Sequence, residues 1–97
     1  MLYEMEIAPL AKLEILDAYD WYEAKQKGLG DEFLEELEIF FDLLLLNPKT
    51  HSYYQKPVRS GVLQRFPYSV TYEAVEKKIF IYSVFMSRQH PSKRRLK

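Results

Sequence analysis

Apolar and polar positions alternate at the start of the chain and then recur at helical spacing. Tyr3, Met5 and Ile7 are separated by two glutamates, which is the period-2 pattern of a half-buried strand over residues 3–7. Pro9 suits the first turn of a helix, because its missing N–H costs nothing there. The apolar stripe that follows is Ala11, Ile15, Ala18 and Tyr22. The pattern predicts a strand and then a helix that ends at Gly28-Leu29-Gly30.

A second helix is predicted directly after this turn. Asp31 stands where a helix needs an N-cap or an early anion for its dipole, and Asn47-Pro48 ends the helical pattern. One apolar face is formed between them by Phe33, Leu37, Phe40, Phe41 and Leu44. Because the turn between the two helices is so short, we expect them to lie antiparallel.

After His51 the chain changes to runs rich in β-branched and aromatic residues. Three strands are predicted, at residues 58–66, 68–75 and 79–86, with turns at Pro67 and at Glu76-Lys77-Lys78. The last run is apolar at odd and even positions alike, so we expect it inside the sheet. Strict alternation places on one of its faces Phe80, Tyr82, Val84 and Met86. The predicted fold class is α+β: a strand, an antiparallel helical hairpin and a three-stranded antiparallel meander completing one sheet.

Length and composition indicate a single domain over residues 1–97. The absence of cysteine excludes disulfides and Cys-based zinc sites and is compatible with a reducing compartment. His51 and His90 lack the paired spacing of a metal site, so we expect no metal and no cofactor. The longest apolar run is too short to cross a membrane, and residues 1–6 lack the basic start of a signal peptide. A cytoplasmic location is expected.

The charges are divided between the two halves of the chain. Residues 1–48 contain three cations and twelve anions, a balance of −9, whereas residues 49–97 contain eleven cations and two anions, a balance of +9. Such a split indicates a polar molecule whose basic half suits phosphates or an acidic partner. The alternative is a solvated surface on which charges happen to segregate. The basic tail at residues 88–97 is expected to be mobile without a partner.

Cations and tyrosines are the candidates for chemistry, because no Gly-rich phosphate loop or nucleophile elbow is present. The predicted target-binding residues are Arg59, Arg65, Arg88, Lys93, Arg94 and Arg95. Arginine binds phosphate through its forked N–H donors, and nucleobases can stack on the rings of the tyrosines that lie between the cations. For Tyr72 and Tyr82 a role in sheet packing is the preferred interpretation. A structural ion pair with Glu73 or with the acidic helices is an equal alternative for Arg65 and Arg88.

Several short pieces of the chain match a known family in order and spacing. They are Ala8-Pro9 with Ala11, Asp20-Trp21-Tyr22-Glu23, residues 28–33, Asn47-Pro48, Arg59, residues 65–72, Val84-Phe85, Arg88 and Pro91. Through these pieces, residues 7–91 resemble the ParE/RelE superfamily of toxins from bacterial type II toxin–antitoxin systems. The fold that this resemblance implies is the strand–helix–helix–three-strand order predicted above.

The resemblance implies a toxin that a partner antitoxin holds inactive. RelE-like members cut mRNA in the ribosome, whereas ParE-like members poison DNA gyrase and are not nucleases. RNA cleavage needs a base, a cation and an acid, and RelE-like proteins usually place a histidine or tyrosine after the last strand. Here Met86 stands where many relatives carry histidine, and no tyrosine follows Tyr82. A non-nucleolytic, ParE-like inhibitor of a topoisomerase such as gyrase is therefore favoured.

Two other functions stay open. A ribosome-dependent endoribonuclease would have Arg65, Arg88 and His90 as its catalytic candidates, although His90 is shifted along the chain and reads more readily as a surface residue. The third possibility is a relative that has lost toxicity and only binds an antitoxin. The expected partners are accordingly a small acidic antitoxin and, as target, DNA gyrase or the ribosome with its mRNA. No membrane partner is expected.

The second helix carries more apolar residues than one packed face needs. Leu34, Leu45 and Leu46 lie beyond its main stripe, and exposed patches of this kind usually mark interfaces. We therefore predict that these three leucines bind a partner.

Overall fold

The computed structural model describes residues 3–87, which form two helices packed on one five-stranded sheet. The elements are β1 (Glu4–Ile7), α1 (Pro9–Lys25), α2 (Leu29–Leu46), β2 (Tyr53–Gln55), β3 (Val58–Val62), β4 (Tyr68–Val75) and β5 (Lys78–Met86). The sheet order is β1-β5-β4-β3-β2, in which β1 runs parallel to β5 and all other neighbours are antiparallel. The predicted α+β class and element order are confirmed, and β5 lies inside the sheet as expected.

Two details of the predicted meander are wrong. Strand β2 is not predicted from the sequence, because its three exposed residues at a sheet edge show no alternation of polar and apolar positions. The strand predicted at residues 58–66 ends at Val62. Residues 63–67 form a connection in which Leu63 and Phe66 are buried. Because these two residues are apolar, the predicted strand extends past its true end.

The junction between the helices is held by a carboxylate from the first of them. Gly28 is the N-cap of α2 and has a φ of 90°, a left-handed conformation that glycine adopts without strain. Glu23 accepts hydrogen bonds from the N–H groups of Gly28 (2.8 Å) and Gly30 (2.9 Å). Of the two roles considered for Asp31, the structure selects the early anion, because Asp31 lies in the first turn and not at the cap.

The core lies between the helical hairpin and one face of the sheet. Tyr22 of α1 and Phe33 of α2 stack with ring centroids 5.7 Å apart, and both contact Phe66 and Tyr68. The other buried apolar residues are Ala11, Ala18, Leu37, Phe40, Leu44, Leu63, Val70, Tyr72, Ile79, Ile81 and Val84. Both helices therefore pack on the face that Tyr68, Val70 and Tyr72 share, as the predicted apolar stripes require.

A bulge in β5 changes which of its residues face the core. Thr71 pairs with Ser83 but Tyr72 pairs with Ile81, so Tyr82 is an extra residue opposite β4. The buried positions consequently shift from Ile79 and Ile81 before the bulge to Val84 after it. The predicted shared face of Phe80, Tyr82, Val84 and Met86 is therefore wrong. Strict alternation fails wherever one strand carries an unpaired residue.

Candidate target and partner surfaces

Arg59 holds the connection that follows α2 against the sheet. It is the second residue of β3 and lies opposite Tyr72, which places its side chain on the helix-facing side. Its guanidinium donates to the backbone carbonyl of His51 (2.7 Å) and lies 4.0 Å from the ring centroid of Tyr53. The Tyr72 hydroxyl donates to the carbonyl of Pro48 in the same connection (2.7 Å). Both contacts give Arg59 and Tyr72 a structural role at this edge.

Arg65 lies in the β3–β4 connection and is held by α2. Its guanidinium forms an ion pair with Glu32 (2.7 Å) in which both side chains are about half exposed. Its backbone N–H and that of Gln64 donate to the carboxylate of Glu36. The ion pair with an acidic helix, the alternative considered for Arg65, is thus present. It lies at the surface, so the guanidinium is accessible.

The two described arginines of the predicted target-binding set lie at opposite ends of β3 and share no contact. Arg88, His90, Lys93, Arg94 and Arg95 lie outside the described residues, as does the whole predicted tail. Ser87, the last described residue, donates its N–H to the carbonyl of Pro67 (2.7 Å). The described chain therefore ends beside the connection that carries Arg65.

The face of the sheet turned away from the helices, here called the open sheet face, carries hydroxyls and aromatic rings. The hydroxyls of Thr71 and Ser83 are 2.6 Å apart, and the Tyr82 hydroxyl donates to Glu73 (2.6 Å). A concave region of about 450 Å³ lies over this face. Its lining includes Tyr54, Lys56, Thr71, Tyr82, Ser83 and Phe85. Tyr54 and Lys56 are not among the residues predicted from the sequence, because Tyr54 lies in the unpredicted strand β2 and Lys56 follows it.

Tyr68, Tyr72 and Tyr82 are protonated at neutral pH, because each has a raised pKa. The hydrogen bond to Glu73, followed by burial and the charge of that carboxylate, raises the pKa of Tyr82 above its usual value. Burial raises the pKa of Tyr68 to about 12 and raises that of Tyr72 as well. None of these phenols is therefore prepared to act as a base at neutral pH. Tyr68 and Tyr72 are buried in the core, so a nucleobase of RNA or DNA cannot stack on their rings.

The three leucines predicted to bind a partner have different surroundings. Leu46 is 71% exposed and Leu34 is 38% exposed, whereas Leu45 is partly buried and packs against the core. Two further apolar residues of α2 are exposed and are not predicted from the sequence, Ile39 and Leu43. Their exposure depends on what packs beside the helix, and helical periodicity alone does not show it.

Ile39, Leu43 and Leu46 line a groove between α2 and the end of β3, here called the α2–β3 groove. Val62, Leu63 and the His51 ring contribute to the same groove, which has a volume of about 290 Å³. Phe40 stacks on His51 with ring centroids 5.1 Å apart and forms part of the lining. Burial lowers the pKa of His51 below its usual value, so the ring is neutral at pH 7. The groove is therefore largely apolar.

Metal-binding clusters and membrane-spanning helices are both absent from residues 3–87, the part of the chain that the structure describes. No group of three or more potential metal-ligating side chains occurs among these described residues. Neither α1 nor α2, the helices of the described chain, has the length and apolar character needed to cross a membrane.

Comparison with solved structures assigns the fold. A chain of the chromosomal ParDE TA system from P. aeruginosa superposes with a TM-score of 0.77 at 16% identity, covering 88% of this chain and 96% of that one. The isolated E. coli RelE toxin superposes with a TM-score of 0.69 at 17% identity, covering 94% of this chain and 90% of that one. This chain has the RelE/ParE-like fold. No protein-family model and no curated protein sequence matches it.

The RelE/ParE-like fold includes both the helical hairpin and the sheet. Both likenesses extend over nearly the whole of each chain, so the hairpin, the sheet and their packing are shared rather than one element alone. At 16% and 17% identity the shared feature is the fold, and function depends on the side chains placed on it.

Proposed function

We propose that this chain is the toxin of a type II toxin–antitoxin system and acts in the ParE-like manner, as a non-nucleolytic inhibitor of a topoisomerase such as DNA gyrase. The RelE/ParE-like fold supports the toxin assignment, because one structure of similar fold comes from a ParDE TA system and another is the RelE toxin. The chemistry of the open sheet face carries the non-nucleolytic part of the proposal.

Within residues 3–87, the centre of the open sheet face offers no free base for a 2′-hydroxyl, because the Glu73 carboxylate there already accepts the hydrogen bond of the Tyr82 hydroxyl. Thr71 and Ser83 are neutral hydroxyls that bond each other. Tyr82 has a raised pKa, and its proton is already shared with Glu73. In-line RNA cleavage loses about 10²–10⁴-fold for each positioned proton-transfer group that is missing. The face can therefore bind a target through its rings and hydroxyls without cutting it.

Arg65 is the described cation best placed to contact a target. Its ion pair with Glu32 is exposed, and exposed pairs contribute about 0–1 kcal/mol, so an anionic group of a target can replace Glu32 at little cost. Arg88, Lys93, Arg94 and Arg95 complete the proposed target-binding set together with Arg59, which mainly holds the sheet edge. A small acidic antitoxin is the proposed partner that neutralises this basic half.

The experiment is to induce the chain in bacterial cells, follow growth, map mRNA ends and assay gyrase supercoiling with the purified protein. We expect growth arrest with intact mRNA and inhibited supercoiling, both weakened by Arg65→Ala and Arg88→Ala. Lys77→Ala is the matched control, since it removes an equal charge from the exposed β4–β5 turn and leaves inhibition unchanged.

Each alternative has its own outcome. Codon-phased mRNA cleavage that disappears in Arg88→Ala or His90→Ala would assign the ribonuclease function instead. A chain that binds a co-encoded acidic protein but arrests no growth would be the inactive, antitoxin-binding relative.

A further inference from the structure

The α2–β3 groove has the spacing of a helix-pairing surface. Ile39, Leu43 and Leu46 lie at positions i, i+4 and i+7 of α2, which is the spacing of the apolar seam along which two helices pack. Together with Val62 they are 55–71% exposed, although each is a large apolar side chain. The seam spans about 10 Å along the helix axis, so two to three turns of a partner helix cover it.

Charges beside this seam define the chemistry of its partner. The 18 residues of α2 include six carboxylates and no lysine or arginine. Two of the carboxylates are already engaged, Glu32 by Arg65 and Glu36 by the β3–β4 connection. Glu35 and Asp42 are exposed and lie seven positions apart, so they form a line along one flank of the seam. In paired helices, flanking positions of this kind select partners of opposite charge.

We infer that the α2–β3 groove binds an amphipathic helix of a partner chain, with leucine-like residues at i, i+3/i+4 and i+7 and with lysine or arginine facing Glu35 and Asp42. The inference rests on the proposed function for the identity of that chain, the antitoxin. It adds that the antitoxin segment in this groove is cationic, even if the antitoxin is acidic as a whole. An acidic helix placed there faces like charges and is rejected.

The test uses three synthetic helical peptides of equal length and the full chain. One has leucine at the heptad seam and lysine on the flanks, the second has glutamate on the flanks, and the third is a scrambled version of the first. Binding is followed by fluorescence anisotropy at about 0.1 M salt, where the Debye length is about 10 Å. We expect the lysine peptide to bind at least about tenfold more tightly than either of the others.

Variants of the chain locate the binding. Leu43→Asp is expected to abolish binding of the lysine peptide, whereas Leu13→Asp, at a comparably exposed leucine of α1, leaves it unchanged. The double variant Glu35→Lys with Asp42→Lys is expected to reverse the preference, so that the glutamate peptide binds more tightly. Circular dichroism confirms that each variant is folded before its affinity is compared.

Equal binding of the lysine and scrambled peptides, or binding that survives Leu43→Asp, would overturn the inference. Its failure is distinguishable from failure of the proposed function. Growth arrest without the peptide preference would support the toxin function and show that the partner binds at another surface. The peptide preference without growth arrest would support the helix-binding groove and contradict the toxin function.

Discussion

At the scale of single residues, carboxylates of the two helices accept hydrogen bonds from backbone N–H groups that have no acceptor within a helix or the sheet. Glu23 binds the N–H groups at the start of α2, and Glu36 binds two in the β3–β4 connection. Glu14 accepts from Val84 N–H (2.7 Å) on the outer edge of β5, where β1 has already ended. Part of the negative charge of the first half is therefore structural, since unpaired backbone donors are costly to leave without a partner.

We predict that Glu36→Ala destabilises the chain by about 1–2 kcal/mol, because the N–H groups of Gln64 and Arg65 lose a charged acceptor. Urea unfolding followed by circular dichroism measures the change. Glu35→Ala is the control on the adjacent, exposed position and is expected to stay within about 0.5 kcal/mol of the parent. Equal stability of the two variants would show that water replaces the Glu36 carboxylate.

His51 gives the fold a pH dependence. Its ring is held neutral by burial against Phe40 and Tyr72, and the guanidinium of Arg59 is bound to its carbonyl. Because its pKa is lowered in the folded chain, the unfolded chain takes up the proton first as the pH falls. The stability contributed by the neutral ring is full above about pH 6.5 and is lost as the pH falls through the lowered pKa.

Urea midpoints measured between about pH 5 and pH 8, together with NMR titration of the ring, check this dependence. The expected result is a His51 pKa below that of the unfolded chain and a midpoint that falls on the acidic side. His90→Ala removes the other histidine and should leave the fall in place. A His51 that titrates at its ordinary value would contradict the expectation.

At the scale of elements, the start of α2 is held against α1 by one side chain, the carboxylate of Glu23. Gly28 reverses the chain with its left-handed φ, and Glu23 holds the first turn of α2 from α1. Gly30 also lies directly against Tyr19, so close that a Cβ there would stand 2.8 Å from the Tyr19 ring. The hairpin angle thus depends on a cap supplied across the junction, because α2 has no capping side chain of its own.

Glu23→Ala is expected to lower the free energy of unfolding by about 1 kcal/mol, the usual cost of losing a helix cap. Hydrogen exchange at Gly28 and Gly30 should accelerate more than exchange in the sheet, since the lost acceptor serves those two N–H groups. Asp20→Ala, one turn earlier on the exposed side of α1, serves as the control. Uniform acceleration across the molecule would instead indicate global destabilisation.

At the scale of the whole molecule, apolar surface remains on two sides of the hairpin. The α2–β3 groove is one, and α1 presents the other through its exposed residues Leu10, Leu13 and Leu16. Helices that are apolar on more than one side are typical of elements covered by other chains. The charges are also divided between the halves of the sequence, and such a division suits partners of opposite charge.

We therefore predict that the chain purified without a partner self-associates through apolar contacts. Sedimentation velocity should show species larger than the monomer that persist at about 1 M salt, where the Debye length is about 3 Å and charge attraction is screened. Leu13→Lys and Leu43→Lys should each shift the distribution toward the monomer. A chain that is monomeric at high concentration in all buffers would argue against uncovered interfaces on the hairpin.

The sequence by itself determined the order of the elements, the apolar stripes of both helices and the α+β class. These follow from local periodicity, which the backbone geometry of helices and strands imposes on any buried face. For Arg65 the sequence left open whether it binds a target or pairs with Glu73 or the acidic helices, and the structure shows a pair with Glu32. Periodicity did not reveal β2, whose three residues are all exposed, or the bulge at Tyr82, which reverses the faces of β5.

Only the tertiary structure decided which side chains are accessible. Arg59 and Arg65 are equivalent in sequence, but one holds a sheet edge and the other forms an exposed ion pair. Leu45 and Leu43 are both leucines of α2, but Leu45 packs against the core and Leu43 lines an open groove. These differences arise from contacts between residues distant in the chain. A local pattern states that a residue is apolar or charged, and the packing of other elements around it determines what it contacts.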